Sequence, residues 1–269
     1  MIIGAHPDDP DIRAGGLALK FVKVGARVRL VSMSNGDKGH MQMGSDALAK
    51  RRYQEAQRAK DILGVEAYRI GPYHDCDLEV NLETRREMTQ LIREFSPHLI
   101  FTHRTCDYHP DHRAVGTLVQ DAAYLLGVPL WCPDVPIASV NPAIYFLHDA
   151  FTKPSEIRPD IIISVDDVAD HLAEALCSHE SQFFEWLAFE KGILDEVPPP
   201  EDIVARKAFI VKYWMVPRKG YDATRFRDSL AKRYGREEAE RVQFAEVLEL
   251  SEYGYQPTQE ELALLFPFV

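Results

Sequence analysis

Two short stretches hold the residue types that do hydrolytic and metal chemistry. The first is Ala5-His6-Pro7-Asp8-Asp9-Pro10-Asp11, directly after the apolar Met1-Ile2-Ile3, and the second is Asp107-Tyr108-His109-Pro110-Asp111-His112. In each, proline keeps the backbone out of a helix until the following segment begins. Two histidines and a carboxylate that leave coordination positions open make a catalytic zinc site, where the ion acidifies water and polarises a carbonyl. Taken singly, an H-P-D run is equally well read as a turn in which proline sets φ and aspartate caps the next helix. Two such runs at the same edge of one sheet favour the metal. Adjacent residues in an extended turn point different ways, so Asp8 and Asp9 can hold different jobs, and spacing alone does not choose between them.

The elements that must position these runs alternate. MIIGA reads as a strand, Ala14 to about Val24 as a helix ended by Gly25, and RVRLVSMS as a strand. After the polar loop NGDKGHMQMGSD comes the helix ALAKRRYQEAQRAKDIL, with Asp46 as its expected cap and Gly64 as its stop. AYRIG and HLIFTH are further strands, LETRREMTQLIREF and DHRAVGTLVQDAAYLLG further helices. Strands alternating with helices imply right-handed crossovers and a parallel sheet covered on both faces. Ligands of such a sheet bind outside the carboxyl ends of the strands, where both H-P-D runs fall. From Trp131 the pattern loosens: PDIIISVDD is a strand, and ADHLAEALCSHESQFFEWLAFEKG is helical with a break near Ser178. VPPPED, residues 197–202, is the only linker-like stretch. The expected organisation is one domain over 1–269, a motif-bearing core of about 1–195 and a helical C-terminal extension of about 203–269.

Bulk properties narrow the partners. The formal charge of −11 speaks against nucleic acid and anionic membrane surfaces. No apolar run approaches the ~18–20 residues of a spanning helix, and no basic segment precedes an apolar one at the start, so neither a membrane anchor nor a signal peptide is expected. The cysteines Cys76, Cys106, Cys132 and Cys177 form no C-x-x-C pair, which excludes a zinc ribbon and fits reduced thiols in a cytoplasm. No glycine-rich dinucleotide fingerprint follows the first strand; Gly15-Gly16 lies inside the helix start.

AHPDD with Gly15-Gly16, the NGDKG loop, Arg52 and Glu55 before Leu63-Gly64, DYHPDH, and His179-x-Ser181-Gln182 together resemble the PIG-L/LmbE-like family of zinc-dependent de-N-acetylases. The resemblance covers roughly residues 1–185, with AHPDD and DYHPDH its most specific parts. It implies a Rossmann-like α/β fold, one zinc ion or another divalent metal per chain, and hydrolysis of the acetamide of a small N-acetylglucosaminyl-type conjugate. It also implies roles: His6, Asp9 and His112 as metal ligands, Asp8 as general base, His109 as the group that polarises or protonates, Asp111 as its orienter, and Arg52 and His179 at the substrate. Many members carry glutamate where this chain has Pro10; Asp11 then stands as a supporting group or as the cap of the helix from Ile12. Other readings are a non-haem Fe(II) oxygenase, which shares a two-histidine, one-carboxylate set, and a catalytically idle sugar-binding relative. His40, His98, His103 and Cys106 read as packing or solvated groups, and Trp186, Trp214, Phe209 and Tyr213 as core or a subunit interface, so a homo-oligomer fits. The loop 34–46 and the segment 129–142 are expected to shape the pocket.

Overall fold

A computed structural model describes residues 1–268. Its sheet is built from β1 (Ile2–Gly4), β2 (Arg29–Ser34), β3 (Ala67–Tyr73), β4 (Leu99–Thr102), β5 (Ala143–Leu147), β6 (Ile161–Ser164) and β7 (Ala245–Gly254), in the order β3-β2-β1-β4-β5-β7-β6. The first five strands are mutually parallel and β7 runs antiparallel to both its neighbours. Strands buried on both faces need continuous rather than alternating apolar runs, and every residue of β1 and β4 is buried. Ile2 packs into the cluster under α1 (Asp9–Lys23), α2 (Ser45–Leu63) and α5 (Ala169–Cys177), while Ile3 packs into the cluster under α3 (Leu82–Phe95) and α4 (Pro110–Leu125). The mostly parallel sheet sandwiched by helices is as expected.

β1 sits between β2 and β4, with Ile2 opposite both Leu30 and Phe101. The crossover leaving β1 leads to β2 and the one leaving β4 leads to β5 on the other side, so the chain order reverses here. A crevice opens at such a switch point outside the carboxyl ends of the strands. Both H-P-D runs lie in it.

Four sequence expectations need correction. Helix α1 begins at Asp9 rather than Ala14, and Ala14 (φ −140°, ψ 22°) kinks it. Asp11 is therefore inside the first turn and caps nothing. Asp46 does not cap α2 either, because Gly44 holds the cap position without a side-chain bond; Gly64 does end that helix, at φ +68°. The segment after 203 is helical through α10 (Arg236–Arg241), preceded by α6 (Leu187–Glu190), α7 (Ile203–Ile210), α8 (Tyr221–Arg225) and α9 (Arg227–Tyr234), but β7 then enters the sheet between β5 and β6 before α11 (Gln259–Leu265). This tail is part of the core. The buried Glu246 of β7 accepts from the amides of Gly16 (3.0 Å) and Leu17 (2.8 Å) and pairs with the buried Lys219, tying the tail to the helix that begins at the site.

Candidate metal and hydrolytic centre

Gly4 ends β1 because the chain doubles back on it: a Cβ there would stand 2.7 Å from Asp9 Cβ and 2.8 Å from Pro10 Cδ. The turn closes through Asp8 and Asp9 amides donating to the His6 carbonyl (2.9 and 3.2 Å). Asp9 Oδ2 accepts from the amides of His6 (2.8 Å) and Ala5 (3.1 Å), which fixes its carboxylate beside the His6 ring. From the other side His112 arrives on the first turn of α4. His6 Nδ1, Asp9 Oδ2 and His112 Nε2 form a triangle with sides of 3.2, 3.3 and 3.3 Å. Three ligands at ~2.1 Å from a tetrahedral ion stand ~3.4 Å apart. The donors fit one ion.

The far nitrogens of both rings are held by carboxylates. His112 Nδ1 is 2.9 Å from Asp107 Oδ1; His6 Nε2 is 3.1 Å from Asp75 Oδ1 and 3.3 Å from Asp111 Oδ2. Such pairs fix the tautomer and raise the basicity of a ligating imidazole. The electrostatics ask for a cation: burial disfavours charge on His6, yet Asp111, Asp75 and Asp9 together hold it well above the ordinary histidine value. Burial likewise opposes charge on Asp9, and His112 and His103 outweigh it to hold this carboxyl well below the usual range. His103 is buried, stacks on His112 at 4.0 Å with planes 7° apart, and brings Nε2 to 3.3 Å from Asp9 Oδ2. Burial first, then the charge of His112, push it down to about 4, so it packs here as a neutral ring.

Asp8 lies beside this triangle with its side chain 13% exposed, and Arg52 Nη2 donates to its Oδ1 at 3.0 Å. Arg52 does not line open space as the resemblance implied. Its guanidinium is buried and also donates to the carbonyls of Gly36 (3.0 Å) and Pro7 (3.4 Å). Gly36, in the NGDKG loop, sits at φ +67°, and a Cβ there would come within 2.3 Å of Arg52 Nη1. The loop thus grips Arg52, which grips Asp8 by one oxygen.

His109 caps α4, its Nδ1 accepting the Asp111 amide at 3.2 Å. That bond leaves the ring proton on Nε2, the nitrogen that faces the crevice. Burial and the neighbouring His6 and His112 lower its pKa, keeping a neutral N–H donor. The Asp111 carboxylate is not on His109, contrary to the expected pairing. It is fully buried, accepts from the Cys76 amide at 2.8 Å and faces His6. His109 is oriented by the main chain of Asp111, and His6 by its side chain.

His179 is also displaced from its expected role. It is fully buried behind the turn, with Nε2 3.4 Å from Asp11 Oδ1, and Asp11 accepts the Tyr68 hydroxyl at 2.6 Å. The H-x-S-Q and R-x-x-E motifs meet instead through Glu55, which accepts from the Ser181 amide (2.9 Å) and hydroxyl (2.6 Å). These contacts buttress the turn and do not face the crevice. Sequence reasoning passed over Asp75 and Asp107, and it read His103 as a packing group without foreseeing that it stacks on His112 beside Asp9. Asp107 stood in the quoted DYHPDH, and Asp75 follows β3 at the same sheet edge, so the carboxyl-end rule pointed to both.

The comparisons with known proteins agree with the motif resemblance. Residues 1–123 match the model of the PIG-L family, described as GlcNAc-PI de-N-acetylase. The chain is 29% identical over 196 residues to diacetylchitobiose deacetylase of Thermococcus kodakarensis, covering 69% of this chain and 70% of that protein. It is 24% identical over 208 residues to 4-oxalmesaconate hydratase of Pseudomonas putida, covering 72% of this chain and 79% of that protein. The solved structure of N,N'-diacetylchitobiose deacetylase from Pyrococcus horikoshii superposes with a TM-score of 0.71 at 22% identity, over 93% of this chain and 82% of that one. None of this supports an oxygenase. Among the described residues no helix is long and apolar enough to cross a membrane.

Proposed function

We propose that this chain is a zinc-dependent N-deacetylase of small N-acetylated amino-sugar conjugates, working in the cytoplasm. The observation that carries the reading is the triangle of His6 Nδ1, Asp9 Oδ2 and His112 Nε2, with sides of 3.2–3.3 Å, flanked by Asp8 and His109. Two imidazoles and one carboxylate suit zinc, which when bound supplies Lewis acidity toward the acyl oxygen and acidifies water. Asp8 takes the proton of the attacking water. Arg52 engages only its Oδ1, which orients the carboxylate and leaves Oδ2 for that proton. The neutral His109 donates its Nε2 hydrogen to the oxygen that gains charge as the carbonyl carbon becomes tetrahedral. Asp8 returns that proton to the departing nitrogen as the C–N bond breaks, and the acid formed leaves as acetate, its own proton passing to the free amine. Asp75, Asp107 and Asp111 are positioning residues, acting through the rings of His6 and His112.

Release of acetate from N-acetylglucosamine, N,N'-diacetylchitobiose and N-acetylglucosaminyl conjugates bearing an acid, by the zinc-loaded protein, tests this. Absence of acetate from the whole set, with one zinc per chain bound, sinks the deacetylase reading and leaves the idle relative. A second reading is hydration of an unsaturated acid, the reaction in the hydratase relative's name. The observation favouring it is the pair of guanidinium groups of Arg13 and Arg218, which can pair with a carboxylate, in a cavity of 220 Å³ beside Tyr108 that Lys219, Asp149, Asp222 and Glu246 also line. Water addition to an unsaturated dicarboxylate without acetate release would decide for it.

A further inference from the structure

A second set of donor atoms adjoins the first. Asp75 and Cys76 lie in the turn between β3 and α3 and meet His109 across the crevice. Cys76 Sγ is 3.3 Å from Asp75 Oδ1 and 4.0 Å from His109 Nε2, and His109 Nε2 is 4.0 Å from Asp75 Oδ1. A thiolate, an imidazole and a carboxylate around one tetrahedral zinc, at ~2.3, ~2.1 and ~2.1 Å, stand roughly 3.4–3.6 Å apart, so closing the set takes shifts of about 0.5 Å. The turn is held from both sides: the Asp75 amide donates to Asp37 Oδ1 at 3.0 Å and the Cys76 amide to Asp111 Oδ2 at 2.8 Å. Cys76 stands at φ +67°, a strained value for a residue with a Cβ. Its thiol is exposed and the His109 side chain is 19% exposed, so an ion reaches the set from solvent and keeps room for water.

We propose that Asp75, Cys76 and His109 form a second, inhibitory site for a soft divalent ion such as zinc, which captures the imidazole nitrogen used for hydrolysis. The thiolate makes the set selective for zinc, cobalt or cadmium over magnesium or calcium. On binding, the Cys76 thiol proton passes to solvent and the sulfur lone pair forms the new bond. His109 must shift its hydrogen from Nε2 to Nδ1 and give up the Asp111 amide, so this ion binds more weakly than the one on His6, Asp9 and His112. Inhibition is therefore a response to excess metal. The inhibitory consequence rests on the role proposed above for His109; the existence of the site does not.

Cobalt(II) titration of the stripped protein tests the site through absorption and stoichiometry, with turnover read in parallel. The first equivalent is expected to bind without a thiolate-to-cobalt charge-transfer band. The second should bring that band, release one proton, protect Cys76 from iodoacetamide, and lower turnover about 100-fold, the low end of what a positioned proton donor contributes. Cys76→Ala should bind one equivalent, show no band and keep basal turnover when metal is in excess. A band that persists in Cys76→Ala, or Cys76 alkylated at the same rate with one and two equivalents in the wild type, overturns the site. A band and protection without loss of turnover would keep the site and refute the role given to His109. The alkylation arm needs no variant, and neither it nor the absorption depends on the substrate proposed above.

Discussion

The turn His6-Pro7-Asp8-Asp9 and the turn His109-Pro110-Asp111-His112 have nearly the same letters and divide the work differently. In the first, α1 begins at Asp9, so the histidine lies ahead of the helix on the strand extension and points its Nδ1 inward with Asp9 Oδ2. In the second, α4 begins at Pro110, so His109 is the cap and His112 sits one turn further in. The cap residue binds main chain through Nδ1 and keeps Nε2 for the crevice; the residue in the first turn brings its Nε2 to Asp9 and His6. The position of a residue relative to the helix start, more than its place in the motif, decides what it does.

The comparison breaks most visibly at the ligands. His112→Ala and Asp9→Asn should each abolish stoichiometric zinc and with it nearly all turnover, whereas Asp8→Asn should keep the metal and lose nearly all turnover as well. Elemental analysis beside steady-state kinetics separates the two causes. If Asp8→Asn strips zinc while Asp9→Asn retains it, the assignment within the first turn is reversed. One step down in size, His109→Ala should keep the metal and lower kcat by about 10²–10⁴, the contribution of a positioned acid. Loss of zinc in that variant would make both histidines of the second turn ligands.

The carboxylates behind the rings sharpen the contrast further. Asp107→Asn removes the negative charge behind His112 Nδ1, and Asp111→Asn removes one of the two behind His6 Nε2. Each should weaken zinc by roughly 10–100-fold, with Asp111→Asn the milder because Asp75 remains. Competition with a chelator of known affinity measures it. A variant Asp111→Asn with unchanged zinc affinity and a shifted pH profile would return its carboxylate to His109.

The sheet and its switch point were legible because strands buried on both faces leave continuous apolar runs, as in Ile2-Ile3 and Leu99-Ile100-Phe101. Strand β7 was not, since AEVLELSEYG carries charges whose partners are far away: Glu246 is satisfied by amides of Gly16 and Leu17, 230 and 229 residues earlier. The same limit runs through the site. The three donors that meet in the triangle, His6, Asp9 and His112, could be picked out from two motifs and a resemblance. The roles of Arg52, Asp111 and His179 could not, because each is set by which group tertiary packing places against it: Gly36 and Asp8, His6, and Asp11.

His179 gives the smallest expected effect on turnover and a distinct one on stability. It touches neither triangle nor crevice, so His179→Gln should leave kcat within a few-fold of the wild type. Both ring nitrogens are buried without a well-formed hydrogen bond, and the nearest charge is Asp11 Oδ1 at 3.4 Å. Burial lowers the pKa of the ring, but Asp11, with Asp8 and Glu55 behind it, outweighs burial and raises it above the ordinary value. A histidine raised in the folded state binds its proton more tightly there than in the unfolded chain. Its stabilisation is therefore fully present below about pH 6.5 and is lost as pH rises through the raised folded value. Glutamine keeps the volume approximately and has no such proton. The wild type should exceed His179→Gln in stability by on the order of 1–3 kcal/mol at pH 6, and the gap should narrow steadily on the alkaline side. Denaturant unfolding of the zinc-loaded proteins from pH 6 to 9 measures it, and a gap that widens with pH would mean that the folded protein holds His179 as the neutral ring.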